Sequence, residues 1–378
     1  MANFQFPPFD PDANLQEFAG VGRNRQFEDA IEDDEVNEVE VICRKLNPDA
    51  TNDAERYVEI PLAKPARAFY FGDHNLYEQE AKRFEQGEKA RILNTDQFRG
   101  NLAVFEELKR SCNRGFVIPF VGAGMSRSVG LPDWTAYLLD IGEEAGLSRD
   151  AIRDRLIIQG DYEGAMDEIL QRVTVNKFER DFERSFQLPE QLTGSVALLP
   201  RLFDNCVITT NFDRVLERCY ENESKAFMEK VTGRGAASAF FRAIPSGDRY
   251  LLKLHGNVDN AGERVLSQTE YDRAYGNARD INMSFPIPKL LKRLFSSYTF
   301  LFLGCSLSAD RTIQTFIRVV ADEGRENLPH HYALLPSPSN PDKKRIIDQR
   351  LADAHITPLW YPEGDYIFVE EILQLLLD

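Results

Sequence analysis

Four short tracts of this chain carry residue types suited to holding an anion and moving a proton. Gly122-Ala-Gly-Met-Ser126 sets two glycines at G-x-G spacing. Such spacing lets the backbone approach a phosphate, and a following helix N-terminus offers free N–H donors and positive dipole charge. The third glycine of G-x-G-x-x-G would fall at Arg127, so the dinucleotide fingerprint is incomplete. A strand-to-helix turn also needs glycine for purely steric reasons. Thr209-Thr-Asn-Phe-Asp213 supplies an amide and a carboxylate, although Asp213 could simply cap a helix over 214–220. Lys253-Leu-His-Gly256 supplies an imidazole, the side chain best poised for proton transfer near neutral pH. A lone histidine is more often a satisfied structural residue. His255 nevertheless follows an apolar strand and precedes a glycine, which places it at an exposed strand end; His74, His330, His331 and His355 have no such setting. Gly304-Cys-Ser-Leu307 brings small residues and the Ser306 hydroxyl, with Ser308 or Asp310 available as a helix cap.

Each tract follows an apolar run of strand length. The runs are 116–121, 205–209, 250–254 and 299–303, with two more at 332–335 and 357–361. Continuous apolar strands separated by helical periods predict a parallel sheet covered on both faces. Such sheets carry ligand sites beyond the C-terminal ends of their strands, where the four tracts stand. Between 148 and 203 no strand is legible; 151–158, 162–173 and 177–186 read as helices of an insertion over one end of the sheet.

The first hundred residues differ. Pro7, Pro8 and Pro11 precede an acidic segment, Phe27-Glu-Asp-Ala-Ile-Glu-Asp-Asp-Glu35. Residues 39–43, 57–61 and 66–71 read as short strands, 75–86 and 98–112 as helices. No chemistry is visible there, and an α+β appendage over 1–100 used for assembly or partner binding is the expectation. The remainder, 101–378, is expected to be one domain.

At 378 residues, with 43% apolar and 28% charged residues, the chain can bury a real core, which excludes wholesale disorder. A formal net charge of −16 opposes generic nucleic-acid or membrane-surface binding. Five cysteines, none in a C-x-x-C pair, argue against a disulfide framework and a thiolate zinc site. No signal-peptide pattern or membrane-spanning run is seen, so a cytoplasmic location is expected. Other templates fail: there is no P-loop, no H-E-x-x-H, and Gly304-Cys-Ser-Leu-Ser308 lacks the closing glycine of a nucleophile elbow.

Taken together and in this order, Gly-Ala-Gly-x-Ser, Thr-x-Asn-x-Asp, His-Gly and Gly-x-Ser-Leu resemble the sirtuin family. The likeness is greatest to the sirtuin-like domains of bacterial anti-phage defence proteins. It covers about 115–378. The resemblance implies a Rossmann-like α/β domain, a mostly parallel sheet with helices on both faces, that binds NAD as substrate. Gly122, Ala123, Gly124 and Ser126 would then hold the pyrophosphate and adjoining ribose. Asp133 would lie near the nicotinamide pocket, and Thr210 would join the NAD-contacting residues. Asn211 would position the reacting ribose or water, with Asp213 as its acidic partner. His255 would be the catalytic histidine at the ribose hydroxyls, and Gly304 and Ser306 would serve the adenosine side.

Two departures narrow the expected activity. Protein-deacylating sirtuins bind structural zinc through cysteine pairs, whereas residues 256–298 contain no cysteine, so neither zinc nor another metal is expected. The arginine usual after the Pro-Asp-aromatic tract is replaced by Thr135. With no acyl-lysine acceptor, water becomes the nucleophile, and the implied reaction is hydrolysis of NAD to nicotinamide and ADP-ribose in phage defence. The alternatives are a regulatory subunit that binds NAD or ADP-ribose without turnover, and a zinc-free deacylase. An unrestrained hydrolase would kill its host, so control by self-assembly as a homo-oligomer or by another subunit is expected; the resemblance, greatest to short sirtuin-like proteins that pair with a HerA-type hexameric ATPase, implies that ATPase as the partner.

Overall fold

The computed structural model describes residues 24–33, 43–46, 51, 57–60, 65–232, 248–277, 280–308 and 310–377. The prolines at 7, 8 and 11, and residues 39–42 of the first expected strand, lie outside them. The chain divides into two compact units between Arg91 and Ile92.

In the first unit, helix α1 (Arg25–Glu32) is followed by strands β1 (Cys43–Leu46) and β2 (Tyr57–Ile60), which pair antiparallel. Helix α2 (Pro65–Gly72) and the long helix α3 (His74–Ile92) come next. The strand expected over 66–71 is thus a helix. Pro65 sits at its first position, where a fixed φ and a missing N–H cost nothing. Ala66 and Phe69, three apart, turn into one small core with Phe27, Ile31 and Tyr77. Six residues of mixed apolar pattern could not separate the two periods.

The second unit begins with helix α4 (Asn101–Asn113), strand β3 (Val117–Val121) and the short helix α5 (Ala123–Ser126). Helix α6 (Trp134–Glu144) comes next, and the span of the expected insertion, 148–203, holds α7 (Arg149–Arg153, continued by a wider turn to Ile158), α8 (Tyr162–Arg172), α9 (Val175–Ser185) and α10 (Leu199–Leu202). Then come β4 (Cys206–Thr209), α11 (Val215–Asn222), β5 (Glu229–Thr232), β6 (Tyr250–Lys253) and α12 (Gln268–Tyr275). A two-residue hairpin, β7 (Gly276–Asn277) with β8 (Asp280–Ile281), precedes α13 (Pro286–Phe295), β9 (Thr299–Leu303) and α14 (Arg311–Glu323). The unit closes with β10 (His331–Ser337), α15 (Pro341–Asp353), β11 (Ile356–Pro362) and α16 (Ile367–Leu377).

Among the described residues, seven of these strands form one sheet in the order β11-β10-β9-β3-β4-β6-β5, and every pairing is parallel. This is the parallel sheet that the pattern of strands and helices predicted, in the Rossmann-like α/β architecture that the resemblance implied. Alternate strand residues feed two cores. Ile118, Phe120, Ile208, Leu252, Phe300 and Phe302 pack with α13 and α14. Val117, Val121, Val207, Leu251, Leu301 and Leu303 face α4, α11 and α16. A third core, built on Tyr137, Met166, Phe178, Phe182 and Phe212, joins the insertion to the loop after β4. The strand missed from the sequence, β5, lies at the sheet edge. Its Glu-Lys-Val-Thr sequence has no continuous apolar run because an edge strand is not covered like the centre.

Register fixes where the four tracts meet. Val121 pairs with Leu303 on one side and Thr209 on the other, and Thr209 pairs with Lys253. Four strands therefore end in one row. The central β3 is where the chain reverses its direction of growth across the sheet, the switch point at which such sheets bind ligands.

Candidate active site at the strand ends

The two glycine tracts form one interlocked piece of backbone. Gly122 N–H donates to Leu303 O at 2.8 Å, and Gly124 N–H to Gly304 O at 2.9 Å. A Cβ on Gly122 would sit 2.6 Å from the Gly304 carbonyl oxygen, and one on Gly124 2.8 Å from Gly304 Cα. Gly304 itself has φ +64°, and its own Cβ would meet the Met125 amide. These three glycines thus let the β3 and β9 loops close on each other, the steric role that the sequence left open. Cys305 turns its thiol inward to the Phe120 carbonyl at 3.4 Å, and burial pushes that thiol's pKa up.

Ser126, 2% exposed, lies between the next two side chains. Its hydroxyl donates to Asp213 Oδ2 at 2.9 Å and accepts from Asn211 Nδ2 at 3.1 Å. The order of donation follows from charge. A carboxylate can only accept, so the serine proton goes to Asp213, and the serine oxygen is left to receive the amide N–H. Asn211 Oδ1 is thereby turned away, and it is buried without a hydrogen-bond partner. The Asn211 backbone is fixed as well: its N–H donates to Thr209 Oγ1 at 3.0 Å, and that hydroxyl donates to the Val121 carbonyl at 2.8 Å. Asp213 Oδ1 accepts from Val215 N–H at 3.0 Å, so it also caps the first turn of α11.

Beside this cluster is a buried cation that sequence reasoning did not assign. Lys253 Nζ bonds Glu217 Oε1 at 3.0 Å, the Phe212 carbonyl at 3.4 Å and the Asp213 carbonyl. It pins the loop that carries Asn211. Burial raises the Asp213 pKa, and Lys253 with the two hydrogen bonds opposes the rise. The signal was legible: one charge stands inside an otherwise apolar strand, Tyr250-Leu-Leu-Lys-Leu254.

His255 is not at an exposed strand end. It is 6% exposed, because α12 folds over it. Nε2 lies 2.8 Å from Tyr275 Oη, and Nδ1 lies 3.4 Å from Tyr271 Oη. Tyr275 Oη also lies 3.3 Å from Thr312 Oγ1. Burial lowers the imidazole pKa to about 4, so the ring is neutral at physiological pH. The loops bearing His255 and Asn211 run together: Leu254 N–H donates to the Thr209 carbonyl, and Val258 N–H to the Phe212 carbonyl, both at 2.9 Å. Arg311, at the start of α14, binds Glu163 of the insertion through two nitrogens and Asp272 of α12 through a third. Its guanidinium lies 5.6 Å from the Tyr271 ring centre. No local pattern marks Tyr271, Tyr275 or Arg311, whose partners are remote in the chain.

The remaining expected residues make contacts of their own. Asp133 caps α6 through Ala136 N–H at 2.8 Å and pairs with Arg127 at 3.2 Å. Thr210 N–H donates to the Val121 carbonyl at 3.4 Å. Ala123 and Gly304 are half-buried, and Ser306 is exposed with its hydroxyl 3.1 Å from that of Ser308. Asp310 caps α14, as one of the two readings of that tract anticipated. A cavity of about 830 Å³ has Arg214, Glu217, Lys253 and Asn257 among its walls; Gly122, Asn211 and His255 do not line it. Among the described residues, no three His, Cys, Asp or Glu side chains group as a metal site would require, and no helix is long and apolar enough to cross a membrane.

A family model described as SIR2-like domain matches residues 205–359. That span holds Asn211, Asp213, His255, Gly304 and Ser306, and leaves out the Gly122 tract. The chain is 28% identical over 228 residues to the NAD(+) hydrolase ThsA of Bacillus cereus (strain MSX-D12), covering 59% of this chain and 44% of that protein. It is 26% identical over 276 residues to the NAD(+) hydrolase ThsA of Cytobacillus dafuensis, covering 68% and 52%. It is 23% identical over 279 residues to Defense-associated sirtuin 2 of Bacillus subtilis, covering 71% and 25%. The chain thus spans about half the length of these relatives or less. With the sheet order, these matches give the chain a SIR2-like α/β fold.

Proposed function

We propose that this chain hydrolyses NAD to nicotinamide and ADP-ribose, and that this activity serves defence against phage. The single observation that carries the reading is the unpartnered Asn211 Oδ1, in a side chain held by Ser126 and Asp213 at the end of β4, the strand beside the sheet's switch point. The names of the relatives support it. Cleavage of the nicotinamide–ribose bond leaves positive charge at the anomeric carbon, and nicotinamide departs neutral with the bonding electrons. Water then bonds to that carbon and loses a proton, so NAD⁺ and water give nicotinamide, ADP-ribose and H⁺. The tasks left to the protein are to orient ribose and water and to accept a proton. Asn211 Oδ1 is an acceptor suited to a hydroxyl or water, and neutral His255 is suited to take the proton. The Gly122-Ala123-Gly124 turn would lie against the pyrophosphate, its Gly122 and Gly124 N–H groups being already given to the Leu303 and Gly304 carbonyls. Control would come from assembly, either among copies of this chain or with a HerA-type ATPase.

One observation favours a second reading, a regulatory module that binds NAD without turnover: both ring nitrogens of His255 face tyrosine hydroxyls. Product identification after incubating wild type and Asn211→Ala with NAD, with and without a co-expressed ATPase, separates the two. Nicotinamide and ADP-ribose from wild type alone establish hydrolysis. NAD binding without any turnover selects the module.

A further inference from the structure

Tyr271 and Tyr275 stand four residues apart on α12, so both face His255 from one side of the helix. Their rings stack at 5.9 Å and 26°. The two contacts with the imidazole are unequal. Tyr275 is fully buried, and its 2.8 Å contact to Nε2 is a committed hydrogen bond. Tyr271 is half-buried, and its 3.4 Å contact to Nδ1 is at the outer limit. Beyond Tyr275, Thr312 Oγ1 has its described hydrogen bond with the same phenol.

One ring and two hydroxyls in a row allow two arrangements that put one proton in each link and use the phenol's own proton in the row. In the first, Nε2–H donates to Tyr275, and Tyr275 donates to Thr312. In the second, Thr312 donates to Tyr275, Tyr275 donates to Nε2, and the ring proton sits on Nδ1. Only the first leaves a lone pair on Nδ1. It also lets the ring take up a proton there without rearrangement, because Nε2–H already has its acceptor.

We propose that Tyr275 is a positioning residue for His255: its hydroxyl accepts the Nε2 proton, passes its own to Thr312, and leaves the Nδ1 lone pair, on the Tyr271 side, as the acceptor that meets the ligand. The row of contacts from Nε2 through Tyr275 to Thr312 is given by the geometry; the choice of tautomer and its use in NAD cleavage rest on the function proposed above. In that use the O–H of the ribose hydroxyl or water gives its proton to the Nδ1 lone pair, and the ring later releases it to solvent. Arg311, held by Glu163 and Asp272, backs Tyr271 so that α12 keeps its face toward the imidazole.

The test uses the full chain labelled with ¹⁵N-histidine. Imidazole nitrogen shifts report the tautomer, and the His255 signals are identified by their loss in His255→Gln. Wild type is expected to show the proton on Nε2. Thr312→Val is nearly isosteric and removes the terminal acceptor. Tyr275 then turns its proton to Nε2, and the ring proton moves to Nδ1. Tyr275→Phe releases the ring to a mixture of tautomers. Both variants are expected to lower NAD turnover about ten-fold, the equivalent of one lost neutral hydrogen bond, with KM for NAD little changed. A proton on Nδ1 in wild type, or an unmoved tautomer in Thr312→Val, overturns the proposal. Should Tyr275→Phe fail to fold, Thr312→Val decides alone. Absence of NAD turnover in wild type would remove the hydrolase reading, while the nitrogen shifts would still decide this one.

Discussion

The Ser126 hydroxyl is the most exacting place to test the site, because deleting one oxygen disconnects Asn211 from Asp213. In Ser126→Ala, Asp213 Oδ2 loses a donor at 2.9 Å and Asn211 Nδ2 loses an acceptor at 3.1 Å. Both groups are buried, so no solvent replaces the lost partner. Leaving a buried polar group unsatisfied costs about 1–3 kcal/mol each, so the fold loses roughly 2–6 kcal/mol. For a domain of this size that is a fall in Tm of about 3–10 °C. The catalytic effect is separate. Without the serine oxygen to fix the sense of the amide, Asn211 turns over and drifts, and a misplacement of ~1 Å can cost about a hundred-fold. The expected result is a kcat for NAD hydrolysis down about 10- to 100-fold with KM nearly unchanged. The assay is nicotinamide release at 20 °C, normalised to the folded fraction from circular dichroism. A variant with full kcat and raised KM would refute this reasoning. It would mean that the serine touches the substrate pyrophosphate or ribose and does not orient Asn211.

The same relay should respond to pH. Burial sets the Asp213 pKa above the ordinary carboxylate range, against the pull of Lys253 and in the presence of Glu217. As pH falls through that raised value, Asp213 takes a proton and no longer needs the Ser126 donor, so turnover should decline before ordinary carboxylates titrate; a kcat profile flat down to pH 4 would contradict this. Gly304→Ala should be the most disruptive one-atom change at the strand ends. It forces an alanine to φ +64° and drives its Cβ into the Met125 amide, and each of these costs about 1–3 kcal/mol. Urea titration should show a clearly lowered midpoint with the m-value preserved.

The strands of the second unit were legible because the signal and the structure have the same cause. A parallel sheet covered on both faces buries every strand residue, and continuous apolar runs are what such burial selects. Val117–Val121 and Thr299–Leu303 pair along their full length and sit in the middle of the sheet. Edge strand β5 carries no such constraint and left no such trace. In the first unit, 66–71 was misread because a short window with alternating and i, i+3 apolar residues satisfies both periods. There the helix is settled by packing against Phe27 and Tyr77, which no local pattern contains.

The site divides along the same line. Residues that follow a strand directly were found because chain order alone brings them to the C-terminal edge. What surrounds them was not, since it arrives from elsewhere. His255 was expected to be exposed, and it is enclosed by a helix that begins thirteen residues later. That helix is anchored by Arg311, 56 positions beyond His255, to an insertion that precedes the histidine by about ninety residues. The motif side chains of this site are therefore written locally and their protonation states are not. Asp213 takes its charge environment from Lys253, two strands' worth of sequence away, and His255 takes its neutrality from the tyrosines that exclude water. Motif residues specify which groups can act at such a sheet edge. Burial by non-adjacent helices decides which of them carries a proton, and that choice separates a hydrolase from a module that only binds.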